Sequence, residues 1–132
     1  MNKYKNLTCL IADDFGTTRQ IIKNAMNDLG FTCMEAENGV EAFAVIQQFT
    51  INLVIADVHM PVKNGINLLK DIRADDNLKD LPVVLIMIEP LEELISEGKE
   101  LEMNDYLVKP FDVFSLSKVL DKVIVMESGE AL

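Results

Sequence analysis

Short apolar runs alternate along this chain with longer segments in which apolar residues recur at helical spacing. Such alternation is typical of a parallel sheet whose consecutive strands are joined by helices. The predicted strands are Leu7–Ala12, Thr32–Ala36, Leu53–Ala56, Val83–Ile88 and Tyr106–Val108. The fourth of these runs is apolar at every position, as expected of a strand that helices cover on both faces. We therefore expect an α/β fold with five parallel strands and helices on both faces of the sheet.

The apolar positions of the helical segments predict which helix faces pack on the sheet. They are Ile21, Ile22, Ala25, Met26 and Leu29 in the first helix, Ala42, Val45, Ile46 and Phe49 in the second, Leu68, Leu69 and Ile72 in the third, and Leu116, Val119, Leu120 and Val123 in the fifth. Gly30 is placed to end the first helix, and Asp112 is placed to cap the last. The fourth helix, about Leu91–Leu101, has the weakest pattern because Gly98 interrupts it.

The length of 132 residues fits one domain, with a core at about 6–126 and a loose tail at 127–132. The net charge of −10 disfavours direct binding of nucleic acid, which is a polyanion. Acidic residues interrupt the first apolar run, and no stretch approaches the roughly 18 apolar residues of a membrane helix. We expect a soluble, cytoplasmic protein without membrane insertion.

The only two cysteines, Cys9 and Cys33, lie inside apolar runs and lack the spacing of a metal site. We expect both to be buried free thiols. A disulfide between them stays open as an alternative, because the two runs are candidates for neighbouring strands.

Charged residues follow three of the predicted strands. Asp13 and Asp14 follow the first strand, Asp57 the third and Lys109 the fifth. Ligands of open parallel sheets bind beyond the carboxyl ends of the strands, so we expect these four residues on one rim. Carboxylates about 4 Å apart repel by on the order of 4 kcal/mol at an effective dielectric of about 20. A hard cation such as Mg²⁺, together with the Lys109 ammonium, would compensate that repulsion.

A carboxylate can act as a covalent nucleophile toward phosphorus, and phosphoryl transfer needs mainly positioning and charge neutralisation. The predicted rim of acids and lysine offers both, which favours a phospho-accepting site. The alternative is that each acid is a helix cap or a solvated loop residue, as most single aspartates are. Phe15, beside the acid pair, is expected to pack against the core.

Residues Leu10–Phe111 resemble the receiver domain of bacterial two-component response regulators. The matching segments are LIADDF, AENG, IADVHMPVKNG and DYLVKPF. Within this family the similarity is greatest to the stand-alone chemotaxis response regulators. The resemblance implies a doubly wound, flavodoxin-like sheet in the order 2-1-3-4-5. It also implies a protein that signals by binding and does not turn over an external substrate.

By this resemblance Asp57 is the phospho-acceptor and Lys109 pairs with the phosphoryl oxygens. Asp13 and Asp14 would hold Mg²⁺ together with Asp57, one of the first two through water, and Mn²⁺ would be a substitute metal. The backbone carbonyl of His59 would be a further metal ligand. The His59 side chain is expected to be solvated in its loop, and contact with the phosphoryl group or the metal is the alternative.

The resemblance also implies the partners. A sensor histidine kinase or a phosphotransfer protein would donate the phosphoryl group, and small phosphodonors can substitute. The output would pass to a downstream protein at the face of the fourth helix, fifth strand and fifth helix. Tyr106 matches the aromatic switch residue on that face, or is simply a half-buried strand aromatic. Pro110 would follow Lys109 through a cis peptide bond.

The chain departs from the family at the end of the fourth strand. Met87 stands where the family has Ser or Thr, whose hydroxyl donates to the phosphoryl group, and Ile88 stands where a small residue is usual. A hydrogen bond to a charged group contributes about 1.5–3 kcal/mol. We therefore expect Asp57 to be phosphorylated but its coupling to the switch residue Tyr106 to be weak or altered. Ile88 is expected to narrow access to the phosphoryl group and to slow its hydrolysis.

Three other functions remain as alternatives. The departures at Met87 and Ile88 favour a pseudo-receiver, a phosphorylation-independent protein-interaction module. A flavodoxin-like cofactor binder would use Gly16 and the threonines after it as a phosphate loop, but the preceding acid pair would repel the phosphate. A phosphatase with an aspartate nucleophile needs two aspartates separated by one residue, whereas here they are adjacent.

Overall fold

The computed structural model describes residues 4–128, and the side chains of residues 4–124. The strands are β1 (Thr8–Ala12), β2 (Thr32–Ala36), β3 (Leu53–Asp57), β4 (Val83–Met87) and β5 (Asp105–Val108). The helices are α1 (Gly16–Asp28), α2 (Gly39–Gln48), α3 (Gly65–Ala74), α4 (Glu92–Glu100) and α5 (Val113–Ser128). Strands and helices alternate as the sequence predicts.

The five strands form one parallel sheet in the order β2-β1-β3-β4-β5, which confirms the predicted fold class. The strand that ends at Asp57 is central, between β1 and β4. In register, Asp57 lies opposite Ile86, and Ala56 lies opposite Ala12. The carboxyl ends of β1, β3 and β4 therefore meet at one edge.

Two helical layers cover the sheet. Helices α1 and α5 pack in one hydrophobic cluster, and α2, α3 and α4 pack in the other. Along β4, Val84 and Ile86 belong to the first cluster, whereas Val83, Leu85 and Met87 belong to the second. Every position of this strand is buried because both faces meet helices, which explains its lack of polar alternation.

Local side chains define most helix ends. Asn38, Asn64 and Asp112 each accept a hydrogen bond from the backbone N–H three residues later, at the starts of α2, α3 and α5. Gly30 follows α1 with a φ of 107°, a left-handed conformation that glycine adopts readily. The predicted roles of Asp112 and Gly30 are confirmed.

Two predicted core residues are exposed instead. Phe49 is 50% exposed because α2 ends at Gln48 and the backbone of Phe49 is extended, which turns its side chain off the helical face. Ile21 is 62% exposed because it borders an open groove of about 180 Å³ between α1 and the segment after β5. The spacing of apolar residues predicts which face of a helix packs inward, but it does not show how far the neighbouring elements cover that face.

Cys9 and Cys33 are directly opposite each other on β1 and β2, and both are free. The alternative of a disulfide is therefore not realised. Cys9 is buried as predicted, but Cys33 is half-buried because β2 is an edge strand. Burial raises the pKa of Cys33 to about 11, so its thiol stays protonated at neutral pH.

The last helix, α5, extends to Ser128 and so includes the first two residues of the predicted tail. The remaining residues of that tail, 129–132, lie outside the described part of the chain. Within the described part, no helix combines the length and the apolar character needed to cross a bilayer.

Hydrogen bonds close the loops at the amino ends of the strands. The Arg73 guanidinium donates to five acceptors: the carbonyls of Lys79, Leu81, Leu101 and Glu102, and Oδ1 of Asn104. Asn104 Oδ1 also accepts from the backbone N–H of Val83, and Asn52 Oδ1 accepts from that of Thr8. Arg73 thereby joins α3, the loop before β4 and the end of α4.

Helix α4 is fastened mainly at its carboxyl end. Besides the contacts of Arg73, Met103 packs so closely on Gly98 that a Cβ there would lie 2.5 Å from the Met103 Sδ. At the other end, Leu91 precedes the helix without a side-chain cap. The two ends of α4 are therefore held unequally.

Candidate functional site

Two buried carboxylates lie at the carboxyl edge of the sheet. Asp57 ends β3 and is 2% exposed, and Asp13 follows β1 and is 0% exposed. Among the described side chains they are the only buried polar or charged residues. A buried charge is costly unless it is paired, so this position calls for compensating groups.

Lys109, which follows β5, supplies a positive charge to both carboxylates. Its Nζ lies 2.6 Å from Asp57 Oδ2 and 3.1 Å from Asp13 Oδ2. The Lys109–Pro110 peptide bond is cis, as the resemblance implied. The structure thus brings together Asp13, Asp57 and Lys109, as the sequence predicts.

Backbone N–H groups complete the hydrogen bonding of one oxygen of each carboxylate. The His59 N–H donates to Asp57 Oδ1 at 2.7 Å, and the Phe15 N–H donates to Asp13 Oδ1 at 2.9 Å. Asp13 Oδ2 is buried and accepts no hydrogen bond, because its contact with Lys109 has the distance of an ion pair but not the direction of a hydrogen bond. That oxygen has capacity for a further ligand.

Burial and charge oppose each other in this site. Burial raises the pKa of Asp57, and the hydrogen bonds from Lys109 and the His59 N–H only partly counteract it. For Lys109, burial lowers the pKa, but the hydrogen bond to Asp57 and the negative charges of Asp57 and Asp13 outweigh it, so the net shift is upward. Lys109 is therefore cationic at neutral pH, and with both carboxylates ionised the three groups carry a net charge of about −1.

The predicted third carboxylate does not join this group. Asp14 is exposed, and across the part of the chain that the structure describes no three His, Cys, Asp or Glu side chains form a cluster suited to a metal ion. The groups that fit a hard cation are the two buried carboxylates, since one oxygen of Asp13 accepts no hydrogen bond and the site keeps a negative charge. The His59 side chain is exposed, as expected for a loop residue.

The sequence profile described as the response regulator receiver domain matches residues 9–121. This chain belongs to the receiver family. It is 44% identical over 120 residues to chemotaxis protein CheY-3 of Vibrio cholerae, an alignment that covers 90% of this chain and 92% of that relative. The chain is thus a receiver domain of the two-component type, with chemotaxis proteins among its relatives.

Solved structures show the same fold. Vibrio cholerae chemotaxis protein CheY4 has a TM-score of 0.84 and 32% identity, with 89% of this chain and 98% of that chain covered. The receiver domain of a sensor histidine kinase from Pseudomonas aeruginosa has a TM-score of 0.82 and 24% identity, covering 89% and 97% of the two chains. That second structure has a magnesium ion coordinated in its active-site cleft.

The two residues to which the family resemblance assigns a switch role, Met87 and Tyr106, share one hydrophobic cluster. Met87 is fully buried at the end of β4, and Tyr106 is half-buried against the same hydrophobic cluster. Met87 has no hydrogen-bond donor to offer a phosphoryl group, and no hydroxyl takes its place on β4. Ile88, the next residue, is 57% exposed.

Two features of the site were missed by sequence reasoning. Phe15 does not pack in the core: it is 62% exposed, and its ring centroid lies 5.9 Å from the Lys109 Nζ. Arg19 donates to the backbone carbonyl of Asp13 and pairs with Glu35, which fixes the loop after β1. No local pattern indicates either contact, because each joins residues from different elements.

Proposed function

We propose that Asp57 accepts a phosphoryl group from a phosphohistidine donor in a Mg²⁺-dependent reaction, and that this changes the binding of a partner protein. The observation that carries the proposal is the buried Asp57 carboxylate, which is 2% exposed and 2.6 Å from the Lys109 Nζ at the carboxyl edge of the sheet. A carboxylate and a cation at the position where ligands of such sheets bind support this proposal.

The protein groups have distinct roles in this proposal. An ionised oxygen of Asp57 attacks phosphorus, and its raised pKa corresponds to a more basic carboxylate. The His59 N–H, 2.7 Å from Asp57 Oδ1, orients the carboxylate. Lys109 balances the negative charge of the phosphoryl oxygens, which is the main requirement of phosphoryl transfer.

The proposed metal is Mg²⁺, with Mn²⁺ as a substitute. Asp13, Asp57 and the His59 backbone carbonyl would hold it directly, and the exposed Asp14 would act through water. The net negative charge of the site and the unfilled oxygen of Asp13 support this assignment. When bound, the ion supplies positive charge that offsets the approach of an anionic donor.

The proposed partners follow from membership in the receiver family. A sensor histidine kinase or a phosphotransfer protein would donate to Asp57, and a downstream protein would bind the face formed by α4, β5 and α5. We propose signalling by binding, with no turnover of an external substrate and no direct contact with nucleic acid. The net charge of −10 agrees with the last point.

Intact-protein mass after incubation with a small phosphodonor and Mg²⁺ tests the proposal. The expected result is a gain of one phosphoryl group that is absent in Asp57→Asn and in metal-free samples. A folded protein that never gains mass would contradict the proposal. The phosphorylated state should also lose its phosphoryl group faster in Ile88→Ala, because the exposed Ile88 side chain shields the approach of water.

Met87 supports a second candidate function, the phosphorylation-independent interaction module. Its buried side chain cannot donate a hydrogen bond, so a phosphoryl group on Asp57 would have no direct connection to the end of β4. Hydrogen exchange of α4 and β5, with and without fluoroberyllate as a phosphoryl mimic, tests this. We expect a small response in the unaltered chain and a larger one in Met87→Thr; a large response that requires Tyr106 in the unaltered chain would overturn the expectation of weak coupling.

A further inference from the structure

Exposed apolar side chains flank the buried Asp57 on both sides. Phe15 follows β1 and is 62% exposed, and Ile88 follows β4 and is 57% exposed. Because β3 lies between β1 and β4 in the sheet, these two side chains lie on opposite sides of the strand that carries Asp57. The approach to a charged site is therefore bordered by apolar surface.

Contacts of Lys109 connect Phe15 and the backbone just before Ile88 to the reacting groups. Its Nζ lies 5.9 Å from the Phe15 ring centroid and 2.6 Å from Asp57 Oδ2. Its backbone N–H donates to the carbonyl of Met87 at 2.9 Å, which places Ile88 next to it along the edge. Phe15 and Ile88 therefore lie along the edge of the sheet at which Lys109 meets Asp57.

We propose that Phe15 and Ile88 contact the leaving group of the phosphodonor and favour a flat aromatic ring, the imidazole of phosphohistidine. The inference rests on the proposed function of Asp57 and assigns two specificity-determining residues to it. An imidazole ring offers a face to Phe15 and an edge to Ile88, whereas an amino leaving group offers neither. Neither side chain takes part in the chemistry of the phosphoryl group itself.

The reaction is a single displacement at phosphorus. An Asp57 carboxylate oxygen forms the new P–O bond as the P–N bond to the donor ring breaks, and the electron pair of that bond stays on the ring nitrogen. The donor ring carries a proton on its other nitrogen, so it leaves as neutral imidazole. The contacts of the flat ring with Phe15 and Ile88 do not require a charge on the ring, so they persist as its positive charge disappears.

The test compares two small donors that differ in the leaving group. Initial rates of phosphorylation with phosphoimidazole and with phosphoramidate are measured by intact mass at fixed Mg²⁺, and their ratio is taken for each variant. We expect the ratio to fall about three- to tenfold in Phe15→Ala and in Ile88→Ala, the size of one aromatic or apolar contact. Both side chains are exposed, so both variants should keep the thermal stability of the unaltered chain.

Matched controls remove other exposed apolar side chains. Phe49→Ala changes an aromatic residue that is 50% exposed after α2, at the opposite edge. Val62→Ala changes a residue that is 83% exposed in the loop whose Lys63 carbonyl accepts a hydrogen bond from the backbone N–H of Gly39, on the α2 side. Both controls should keep the ratio within about twofold, since a change below about 0.4 kcal/mol is less than one contact.

The outcomes separate the two proposals. In one outcome, both donors phosphorylate Asp57, but the ratio of their rates is unchanged in Phe15→Ala and Ile88→Ala. That result overturns the leaving-group inference and leaves the proposed function standing. A ratio that falls equally in the two control variants also overturns it, because the effect would then belong to any apolar surface. No labelling of the unaltered chain by either donor overturns the proposed function and the inference together.

Discussion

The two edges of the parallel sheet differ in the kind of side chain that finishes them. At the amino edge, Arg73, Asn52 and Asn104 turn their polar groups onto backbone atoms and close the loops with hydrogen bonds. At the carboxyl edge, two carboxylates are buried beside one lysine, while apolar side chains face solvent. At the amino edge, polar groups stabilise the loops. At the carboxyl edge, burial of charged groups and exposure of apolar side chains both cost stability.

The loop after β3, at the carboxyl edge, carries a further cost in stability, which is backbone strain at Val62. Val62 has a φ of 67° and is 83% exposed, and the Lys63 N–H donates to the Pro61 carbonyl across it at 2.7 Å. A β-branched residue rarely adopts this left-handed conformation. The Lys63 carbonyl is held by the Gly39 N–H at 2.8 Å, and the Lys63 side chain pairs with Asp71. These contacts hold the strained turn in place.

The largest expected effect is at the carboxyl edge, in Gly65→Ala. A Cβ on Gly65 would overlap the backbone carbonyl oxygen of Asp57, which cannot rotate away. We expect a loss of about 3 kcal/mol in the free energy of unfolding, measured with urea, and slower phosphorylation of Asp57. Gly98→Ala is the matched control, because its Cβ would meet the flexible end of the Met103 side chain. Equal losses in the two variants would contradict the prediction that overlap with the Asp57 carbonyl makes Gly65→Ala the more destabilising change.

At the amino edge, Arg73→Met should lower the free energy of unfolding without changing the rate of phosphorylation of Asp57. The change removes the donor to five acceptors, and we expect a loss of about 2 kcal/mol in the free energy of unfolding. Arg73→Lys should recover little, because a lysine cannot reproduce the planar set of donors. The rate of phosphorylation by phosphoramidate should not change; a slower rate would mean that the two edges are coupled.

The difference between the edges also decides what the sequence could predict. Convergence of Asp13, Asp57 and Lys109 was predictable because the carboxyl ends of parallel strands meet, and the order of the strands came from the family resemblance. Burial of Asp13 beside an exposed Asp14 was not, because neighbouring residues at a strand end point in different directions and only the following loop decides which one faces inward.

Long-range contacts account for the rest of what the sequence did not predict. Arg73 binds carbonyls 28 and 29 residues away, and no local spacing encodes such a pairing. The same holds for Phe15, whose neighbour Lys109 comes from the far end of the chain. Ile21 follows the helical period of α1, yet only the open groove beside it decides its exposure.

Val62→Asn should change stability in the opposite direction from the first two variants. Asparagine tolerates a positive φ far better than valine does, so we expect a gain of about 1 kcal/mol in the free energy of unfolding. Urea unfolding measures the gain, and Val62→Thr, which keeps the β-branch, is the control that should show none. If Val62→Thr is stabilised as well, the gain comes from the loss of an exposed methyl group and not from relief of backbone strain.

The smallest expected effect concerns Glu35, which pairs with Arg19 and Lys23 and so supports the loop that carries Asp13. The hydrogen bonds from Arg19 and Lys23 lower the pKa of Glu35. Its contribution to stability is therefore full above the ordinary glutamate pKa and is lost as the pH falls through the lowered value. Glu35→Gln should cost less than about 1 kcal/mol at pH 7, and the cost should shrink below about pH 4. If Glu35→Gln costs as much stability at pH 3 as at pH 7, the loss comes from packing and not from the charge of Glu35.

The unequal fastening of α4 has a mechanical consequence. A helix of nine residues is about 13 Å long, and a rigid helix that is held more firmly at one end tilts about that end. Here the pivot lies near Leu101, where Arg73 and Met103 hold the chain, and the long arm ends at Leu91, close to the end of β4. A small displacement of the segment after β4 would therefore tilt the outer surface of α4 about its carboxyl end, with the internal hydrogen bonds of the helix intact.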